Sequence, residues 1–294
     1  MSGAVLITGG SGFIGRNLIE GFEPSRDVLA PRHAELDLLD EDAVRAYFRK
    51  HPVDTVVHCA TKPGHRNASD PTGLVYANTR MFFNLDGCSD LYRKMIFVSS
   101  GAAYDMRHYL PKMPETYFDT HVPTDEHGFS KYAAAKYIEL SSDIVELRVF
   151  GVFGRYEDYA IRFISNAICK AIFGLPITLR QDRMFDYLYI DDLTQVVDHF
   201  ITHDADHAAY NVTPDAAIGL AELAEKVRSI SGADVPIVVA QQGLGLEYSG
   251  NNARLRAEMP DLVLTPIDRA IGELFDWYSK HRDSVDRDAL LVDK

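Results

Sequence analysis

Residues Ala4–Gly15, AVLITGGSGFIG, decide how the rest of the sequence is interpreted. An apolar run with the length of a buried strand leads into three glycines spaced G-x-x-G-x-x-G, and the amphipathic segment Phe13–Phe22 follows. A strand, a glycine turn and a helix in that order direct free backbone N–H groups and a positive helix end at one point. Gly9 permits the tight turn, Gly12 lets a pyrophosphate approach the backbone, and Gly15 lets the helix pack closely on the strand. The stretch predicts a dinucleotide-binding turn.

Segments with the length of strands alternate with amphipathic segments with the length of helices along most of the chain. Val53–Ala60, Lys94–Ser100 and Ile144–Phe150 are nearly continuous apolar runs, as expected of buried parallel strands. This alternation predicts an α/β fold, a Rossmann-type doubly wound parallel sheet with a smaller C-terminal α/β region. Between the strands, Tyr104–Gly128 is predicted to be a long polar loop and Phe129–Ser142 a helix.

The 294 residues are enough for one large domain or for two that share a core. We predict three parts. They are a dinucleotide-binding domain formed by residues 1–155 and 184–212, a substrate-binding region formed by residues 156–183 and 213–280, and a C-terminal tail formed by residues 281–294.

The formal net charge of −13 disfavours nucleic acid and anionic membranes as partners, because both require a basic surface. Apolar runs stay well short of the roughly 20 residues of a membrane span, and we expect no signal peptide. The three cysteines, Cys59, Cys88 and Cys169, are scattered and odd in number, which favours reduced thiols and a cytoplasmic location. No cluster of histidines, cysteines and carboxylates has metal-ligand spacing, so we predict no metal site.

The segment after the predicted second strand indicates the cofactor. Arg32 lies where a dinucleotide fold meets the adenine ribose, and a base there favours the 2′-phosphate of NADP. Glu35 lies about 20 residues past the glycine turn and keeps NAD open. Asp37 and Leu38 are predicted to border the adenine, although Asp37 is equally interpretable as a solvated loop acid. NADP is slightly favoured over NAD.

Tyr132 and Lys136 are four residues apart in a predicted helix, so their side chains lie on one face. A neighbouring ammonium lowers the pKa of a phenol, which lets the phenol exchange a proton with a sugar oxygen while a hydride moves to or from a nicotinamide. Ser100, at the end of the predicted fourth strand, would hold the same oxygen. The order of glycine turn, serine and Tyr-x-x-x-Lys therefore predicts a hydride-transfer site.

These motifs resemble those of the extended short-chain dehydrogenase/reductases, the family of NAD-dependent epimerases and dehydratases that modify nucleotide-activated sugars. Thr8–Gly15 matches the family's T-G-x-x-G-x-x-G, and Ser99–Tyr104 is similar to S-S-x-x-V-Y. Tyr132 and Lys136 match the catalytic pair, and Phe185–Asp192 resembles R-D-F-x-Y-V-D-D. The matching segments run over most of the chain.

The resemblance implies a hydride-transferring enzyme that uses NAD(P), acts on a nucleotide sugar and forms a homodimer through a four-helix bundle. It makes Ser100, Tyr132 and Lys136 the catalytic residues, with Ser100 also contacting substrate. Together with the glycine turn, it places the following residues at the cofactor: Gly9, Gly12, Phe13, Ile14, Gly15, Arg32, Asp37, Leu38, Ala60, Thr61, Lys62, Asn78, Ser99, Tyr132, Lys136, Phe150 and Val152.

Departures from the family motifs narrow the range of reactions expected for this chain. Gly101 and Ala102 stand where family dehydratases carry an Asp-Glu pair, so dehydration is not expected. The layout is most similar to nucleotide-sugar 4-ketoreductases of the GDP-fucose synthase type. The cysteine and histidine used there for a double epimerisation correspond to Ala102 and Tyr159 here, so the resemblance loses support for that epimerisation but not for the reduction. On the substrate side, Gly151 replaces an asparagine and Phe185 an arginine.

We therefore predict an NAD(P)-dependent oxidoreductase or epimerase of a nucleotide-activated sugar, with 4-keto reduction favoured. A 4-epimerase that holds NAD tightly would use the same three catalytic residues. A non-catalytic dinucleotide-sensing module is the alternative from another class. Arg162, Arg183 and Arg254 are candidates to bind the substrate phosphates, although each arginine by itself is more often structural.

Overall fold

The computed structural model describes residues 3–65 and 67–292, which form twelve strands and nine α-helices. The strands are β1 (Ala4–Thr8), β2 (Val28–Leu29), β3 (Val53–His58), β4 (Lys94–Ser100), β5 (Ile144–Val149), β6 (Val152–Phe153), β7 (Ile177–Asp182), β8 (Met184–Phe185), β9 (Leu188–Tyr189), β10 (Ala209–Val212), β11 (Ile218–Gly219) and β12 (Ile237–Leu244). The helices are α1 (Phe13–Phe22), α2 (Glu41–Lys50), α3 (Leu74–Asp86), α4 (Glu126–Ile138), α5 (Phe163–Ile172), α6 (Ile190–Thr202), α7 (Leu220–Ser231), α8 (Ala253–Glu258) and α9 (Ile267–Lys280).

Six strands form the central sheet in the order β2-β1-β3-β4-β5-β10, and every neighbouring pair is parallel. From β1 the chain moves outward to β2 and then returns to the other side of β1 to form β3. Ligands of open α/β sheets bind at such a reversal, beyond the carboxyl ends of the strands. The predicted fold class is confirmed.

Helices cover both faces of the sheet, which explains the nearly continuous apolar strands. Successive residues of β1 face opposite sides. Ile7 packs in the core that includes residues of α1, α5, α6, α7 and α9. Leu6 packs in the core that includes residues of α2, α3 and α4. The carboxyl edge of the sheet, where a ligand is expected, therefore belongs to a sheet that is packed against helices on both faces.

The C-terminal segments continue the first of these cores. β7 and β12 pair in parallel beside it, and α5, α7 and α9 contribute Ile168, Val227 and Leu274 to it. The described part of the predicted tail, residues 281–292, buries Val285 and Leu290 against the same core. The predicted domain boundaries stay a prediction. No helix in the described ranges is long and apolar enough to cross a membrane.

The segment Tyr104–Gly128 is more ordered than predicted. It contains two short 3-10 turns before α4, Met106–His108 and Glu115–Tyr117. Helix α4 then begins at Glu126 rather than at the predicted Phe129. The cause is Asp125, whose carboxylate accepts a hydrogen bond from the Gly128 N–H at 2.8 Å and caps the helix.

Candidate active site

The glycine turn has the backbone geometry of an anion cradle. Gly9 has a positive φ of 71°, and the Gly12 N–H donates to the Gly9 carbonyl at 2.9 Å. A Cβ on Gly15 would lie 2.3 Å from the Gly9 carbonyl oxygen, so only glycine lets α1 approach this closely. The N-terminus of α1 has no side-chain cap, which leaves its N–H groups for a ligand. These residues fit a pyrophosphate.

The loop after β3 is fixed beside this cradle. The Ala60 N–H donates to the Thr8 hydroxyl at 3.2 Å, which ties the ends of β3 and β1 together. The Asn78 side-chain oxygen accepts from the Lys62 N–H at 2.7 Å and from the Thr61 hydroxyl at 3.2 Å. Ala60, Thr61 and Lys62 thus lie at the predicted edge of the sheet. Asn78 acts there by holding the loop in place.

The segment after β2, which is predicted to meet the adenine ribose of the cofactor, carries one exposed arginine and two acids that accept hydrogen bonds from the nearby backbone. The Glu35 carboxylate accepts from the Arg32 backbone N–H at 2.8 Å, and Asp37 accepts from the Leu39 N–H at 2.9 Å. The side chain of Arg32 is exposed. Leu38 is buried in the second core. Both acids are engaged by the loop backbone, whereas the Arg32 guanidinium is available to an anion.

Ser100, the last residue of β4, belongs to a hydroxyl network. Its Oγ accepts from the Ala102 N–H at 3.1 Å and is hydrogen-bonded to the Tyr248 hydroxyl. Burial raises the pKa of Tyr248 to about 12, so this phenol is neutral at ordinary pH. The neighbouring Ser99 Oγ is buried and has no hydrogen-bond partner within the described ranges. A ligand hydroxyl at this edge would therefore meet donors and acceptors that are already positioned.

Tyr132 and Lys136 do not face this network, contrary to the prediction. The Tyr132 hydroxyl donates to the Asp119 carboxylate, and the Lys136 Nζ lies 3.0 Å from Asp119 and also pairs with Glu139. Because Asp119 accepts a hydrogen bond from the neutral phenol, the pKa of Tyr132 is raised rather than lowered. The assignment of these two residues to catalysis and to the cofactor is corrected accordingly.

A different pair on α4, His127 and Lys131, faces the sheet. Lys131 is buried, its Nζ donates to the Val98 carbonyl at 3.4 Å, and it lies 4.6 Å from the centre of the Phe97 ring. Burial lowers the pKa of Lys131 to about 8. One turn earlier, the His127 Nδ1 is buried without a partner among the residues that the structure describes. Sequence reasoning missed this pair, although its spacing is the same.

The three predicted phosphate-binding arginines separate in the structure. Arg162 precedes α5, and its positive charge contributes to lowering the pKa of both His127 and Tyr248. Arg183 stacks over Phe185 at 5.3 Å and lines a cavity of about 440 Å³. Arg254 donates instead to the carbonyl of Ala209, the first residue of β10, at 3.4 Å. Because the site lies at the carboxyl ends of the strands, this contact contradicts the prediction for Arg254.

The NAD dependent epimerase/dehydratase family matches residues 5–213. The chain belongs to this family. This family match confirms three predictions, namely the family itself, that the chain is an enzyme, and that its cofactor is NAD(P).

Two curated relatives and one solved structure illustrate the range of similarity. A GDP-L-fucose synthase from Azorhizobium caulinodans is 40% identical over 84 residues, which cover 28% of this chain and 27% of that protein. A dTDP-4-dehydro-6-deoxyglucose reductase from Escherichia coli is 26% identical over 92% of this chain and 97% of its own length. A GDP-L-fucose synthetase structure from Naegleria fowleri superposes with a TM-score of 0.83 at 15% identity, covering 97% of this chain and 95% of that chain.

This epimerase-family chain departs from the family motifs where its aromatic residues pack. Phe150 and Tyr248 lie with their ring centres 5.0 Å apart, and a Cβ on Gly101 would lie 2.6 Å from the Tyr248 hydroxyl. A Cβ on Gly151 would lie 2.1 Å from the Asp186 carbonyl, which explains the loss of the family's asparagine. Phe150 therefore belongs to an aromatic wall next to Ser100.

Tyr159 and Val152, two positions singled out in the sequence, make contacts that support the fold. The Tyr159 hydroxyl accepts from the Asp286 N–H at 2.8 Å and so holds the C-terminal segment. Val152 pairs with Leu188 of β9 and packs against the first core. Both residues contribute to the framework around the site.

Proposed function

We propose that this chain is an NAD(P)-dependent reductase that acts on the 4-keto group of a nucleotide-activated sugar. The observation that supports it best is the alignment of the glycine cradle with Ser100 along one edge of the sheet. The relatives named as reductases of deoxy-keto sugars support the same reaction.

The chain's own residues supply the binding groups for the cofactor. The cradle from Gly9 to Gly15 would bind the pyrophosphate through backbone N–H groups. Arg32 would bind a 2′-phosphate, which favours NADP. The Lys131 ammonium has three N–H donors and makes one long hydrogen bond in the part of the chain that the structure describes, so it can bind cofactor hydroxyls. A bound reduced nicotinamide supplies the hydride, and the Ser100 hydroxyl would hold the substrate carbonyl oxygen.

The cavity beside Arg183 fits the nucleoside diphosphate half of the substrate. It lies between α5, β7 and β12, and Lys170 and Arg180 also line it. Arg162 lies between two further lining residues, Ile161 and Phe163. These cations would concentrate positive charge locally on a chain whose net charge is −13.

The outer faces of α3 and α4 support a homodimer. Tyr76 and Phe83 on α3 and Tyr137 on α4 are exposed large apolar residues, and Leu140 just after α4 is 89% exposed. Pairing these faces with a second copy would form a four-helix bundle. We further propose a cytoplasmic location, because Cys59, Cys88 and Cys169 are free thiols.

A thermal-shift panel tests the proposed function. The purified protein is mixed with NADPH or NADH and with GDP-, UDP-, dTDP- or CDP-sugars, and the melting temperature rises with ligand affinity. We expect NADPH and one nucleotide class to stabilise the protein, and Arg183→Ala to remove the nucleotide effect while keeping that of NADPH. Oxidation of NADPH by the matching 4-keto sugar then completes the test. Copurification of tightly bound NAD would favour the 4-epimerase, and no response to any nucleotide would contradict both.

A further inference from the structure

We propose that His127 is a catalytic residue of this site, whose imidazole donates a hydrogen bond, and then a proton, to the substrate oxygen. The proposal rests on the proposed reduction, because it assigns a role within that reaction. It replaces Tyr132, which the structure directs to Asp119.

The start of α4 places His127 at the catalytic edge. Asp125 caps the helix, so His127 lies in its first turn. The next residue, Gly128, packs so closely on the turn after Ser100 that a Cβ there would lie 2.7 Å from the Ala102 carbonyl oxygen. One turn along the same face, Lys131 reaches the carbonyl of Val98, two residues before Ser100. His127 therefore lies beside the serine whose hydroxyl would hold the substrate oxygen.

The environment of the ring selects one tautomer. The Nδ1 is buried and has no partner among the described residues. A proton on Nδ1 would be a buried donor without an acceptor, which is costly, so the proton of the neutral ring lies on Nε2. His127 as a whole is only half-buried. The Nε2–H group is therefore the donor that the imidazole offers to a ligand.

The groups around His127 keep it neutral. Burial lowers the pKa of His127 to about 4 and the positive charge of Lys131 acts in the same direction; Asp125 opposes them, and Arg162 makes the smallest contribution, which again lowers the pKa. The N-terminus of α4 also disfavours an imidazolium. A neutral imidazole at a helix N-terminus can polarise a carbonyl group, as a donor that needs no prior protonation.

The proton balance of the step can then be written for the chain's own atoms. As the carbon of the keto group gains a hydride, the C=O π electron pair moves onto the oxygen, and Nε2–H and the Ser100 hydroxyl stabilise the negative charge. The proton passes from Nε2 to this oxygen, which becomes the alcohol. The neighbouring Lys131 ammonium stabilises the resulting imidazolate, and a proton taken up from solution restores Nε2–H, so the reduction consumes one hydride and one proton overall.

The test compares His127→Ala with two controls on the same helix and loop, Tyr132→Phe and His108→Ala. His108 is a half-exposed histidine with an Asp105 partner. Removing one donor to a developing oxyanion typically lowers kcat 10²–10³-fold. We expect about that loss for His127→Ala, with NADPH affinity by fluorescence and melting temperature close to wild type, and less than about a threefold change in kcat for both controls. Added imidazole should restore part of the activity of His127→Ala.

One further readout is histidine NMR, and the combined outcomes distinguish failure of this proposal from failure of the proposed function. Histidine NMR of the NADPH-bound protein should show the His127 signal, assigned by its loss in His127→Ala, as a neutral ring with its proton on Nε2 between pH 6 and 8. A His127→Ala variant with unchanged kcat, a Tyr132→Phe variant with a large loss, or a parallel loss of NADPH affinity in His127→Ala would each overturn the proposal. A wild-type protein that binds neither NADPH nor nucleotide would instead overturn the proposed function.

Discussion

Replacing Gly15 by alanine tests the close approach on which the cofactor cradle depends. The new Cβ would lie 2.3 Å from the Gly9 carbonyl oxygen, 2.8 Å from its carbon and 2.9 Å from the Gly10 Cα. All three are backbone atoms, so no side-chain rotation relieves the overlap. The turn and α1 must separate by roughly 1 Å to restore ordinary van der Waals distances.

The magnitude follows from two opposing effects. Alanine within a helix is favoured over glycine by about 1 kcal/mol, whereas overpacking of a rigid contact costs about 1–3 kcal/mol. Because the atoms at Gly15 are all backbone, we use the upper part of this range and expect a net loss of about 1–2 kcal/mol in the free energy of unfolding. The displaced N–H groups should also weaken NADPH binding by about tenfold, which corresponds to about 1.4 kcal/mol.

The matched control is Gly272→Ala in α9, where a Cβ would meet no atom within 4 Å. Without the clash, the helix propensity should stabilise this variant by about 0.5–1 kcal/mol and leave NADPH binding unchanged. Urea unfolding and NADPH fluorescence measure the two quantities in both variants. The reasoning is refuted if Gly15→Ala stabilises the protein as much as Gly272→Ala does, or if it binds NADPH as tightly as wild type.

Three further predictions, tested with four substitutions, address the framework of the site. Arg148→Met should destabilise the protein by about 3–5 kcal/mol in urea unfolding, because it leaves the buried Glu146, 2.8 Å from the guanidinium, without its partner; a loss below 1 kcal/mol would contradict this. Asp125→Ala and Asp40→Ala each remove a helix cap worth about 1 kcal/mol, but only the former should also lower kcat, since it caps α4. Burial raises the pKa of Glu157 to about 8, above its ordinary value of 4.5. Because the folded protein then holds this proton more tightly than the unfolded chain, the contribution of Glu157 to the free energy of unfolding is fully present below about pH 4.5 and is lost as the pH rises to about 8. Glu157→Gln should therefore flatten the fall in melting temperature over that range, and parallel curves for the two proteins would refute it.

The sequence alone predicts the cofactor half of the molecule closely. The bounds of α1 match the predicted amphipathic segment Phe13–Phe22 residue for residue, because the glycine turn begins this helix. The substrate half is predicted less well. The segment Phe185–Asp192, which matches a single family motif, contributes to two short strands that pair with different partners. Such partners are distant in sequence, so no local pattern specifies them.

The catalytic assignment fails for a reason that lies within one helix. The spacing of four residues fits His127 with Lys131 as well as Tyr132 with Lys136, and adjacent residues of a helix point about 100° apart. Spacing alone therefore cannot tell which pair faces the sheet. The deciding pattern is the buried stripe of α4, in which Lys131 is followed by Ala134, Ala135 and Ile138 at i+3, i+4 and i+7.

A lysine in such a stripe is itself informative. Burying an ammonium with a single long hydrogen bond costs stability, and a leucine at position 131 would complete the apolar face without that cost. The chain nevertheless carries this ammonium on the buried face of α4, one turn after His127. A buried ammonium whose hydrogen bond within the described residues is this long indicates that further partners belong to a ligand. On this argument Lys131→Leu should raise the free energy of unfolding of the unliganded protein while weakening NADPH binding, and a variant that loses stability without ligand would show that the ammonium is structural.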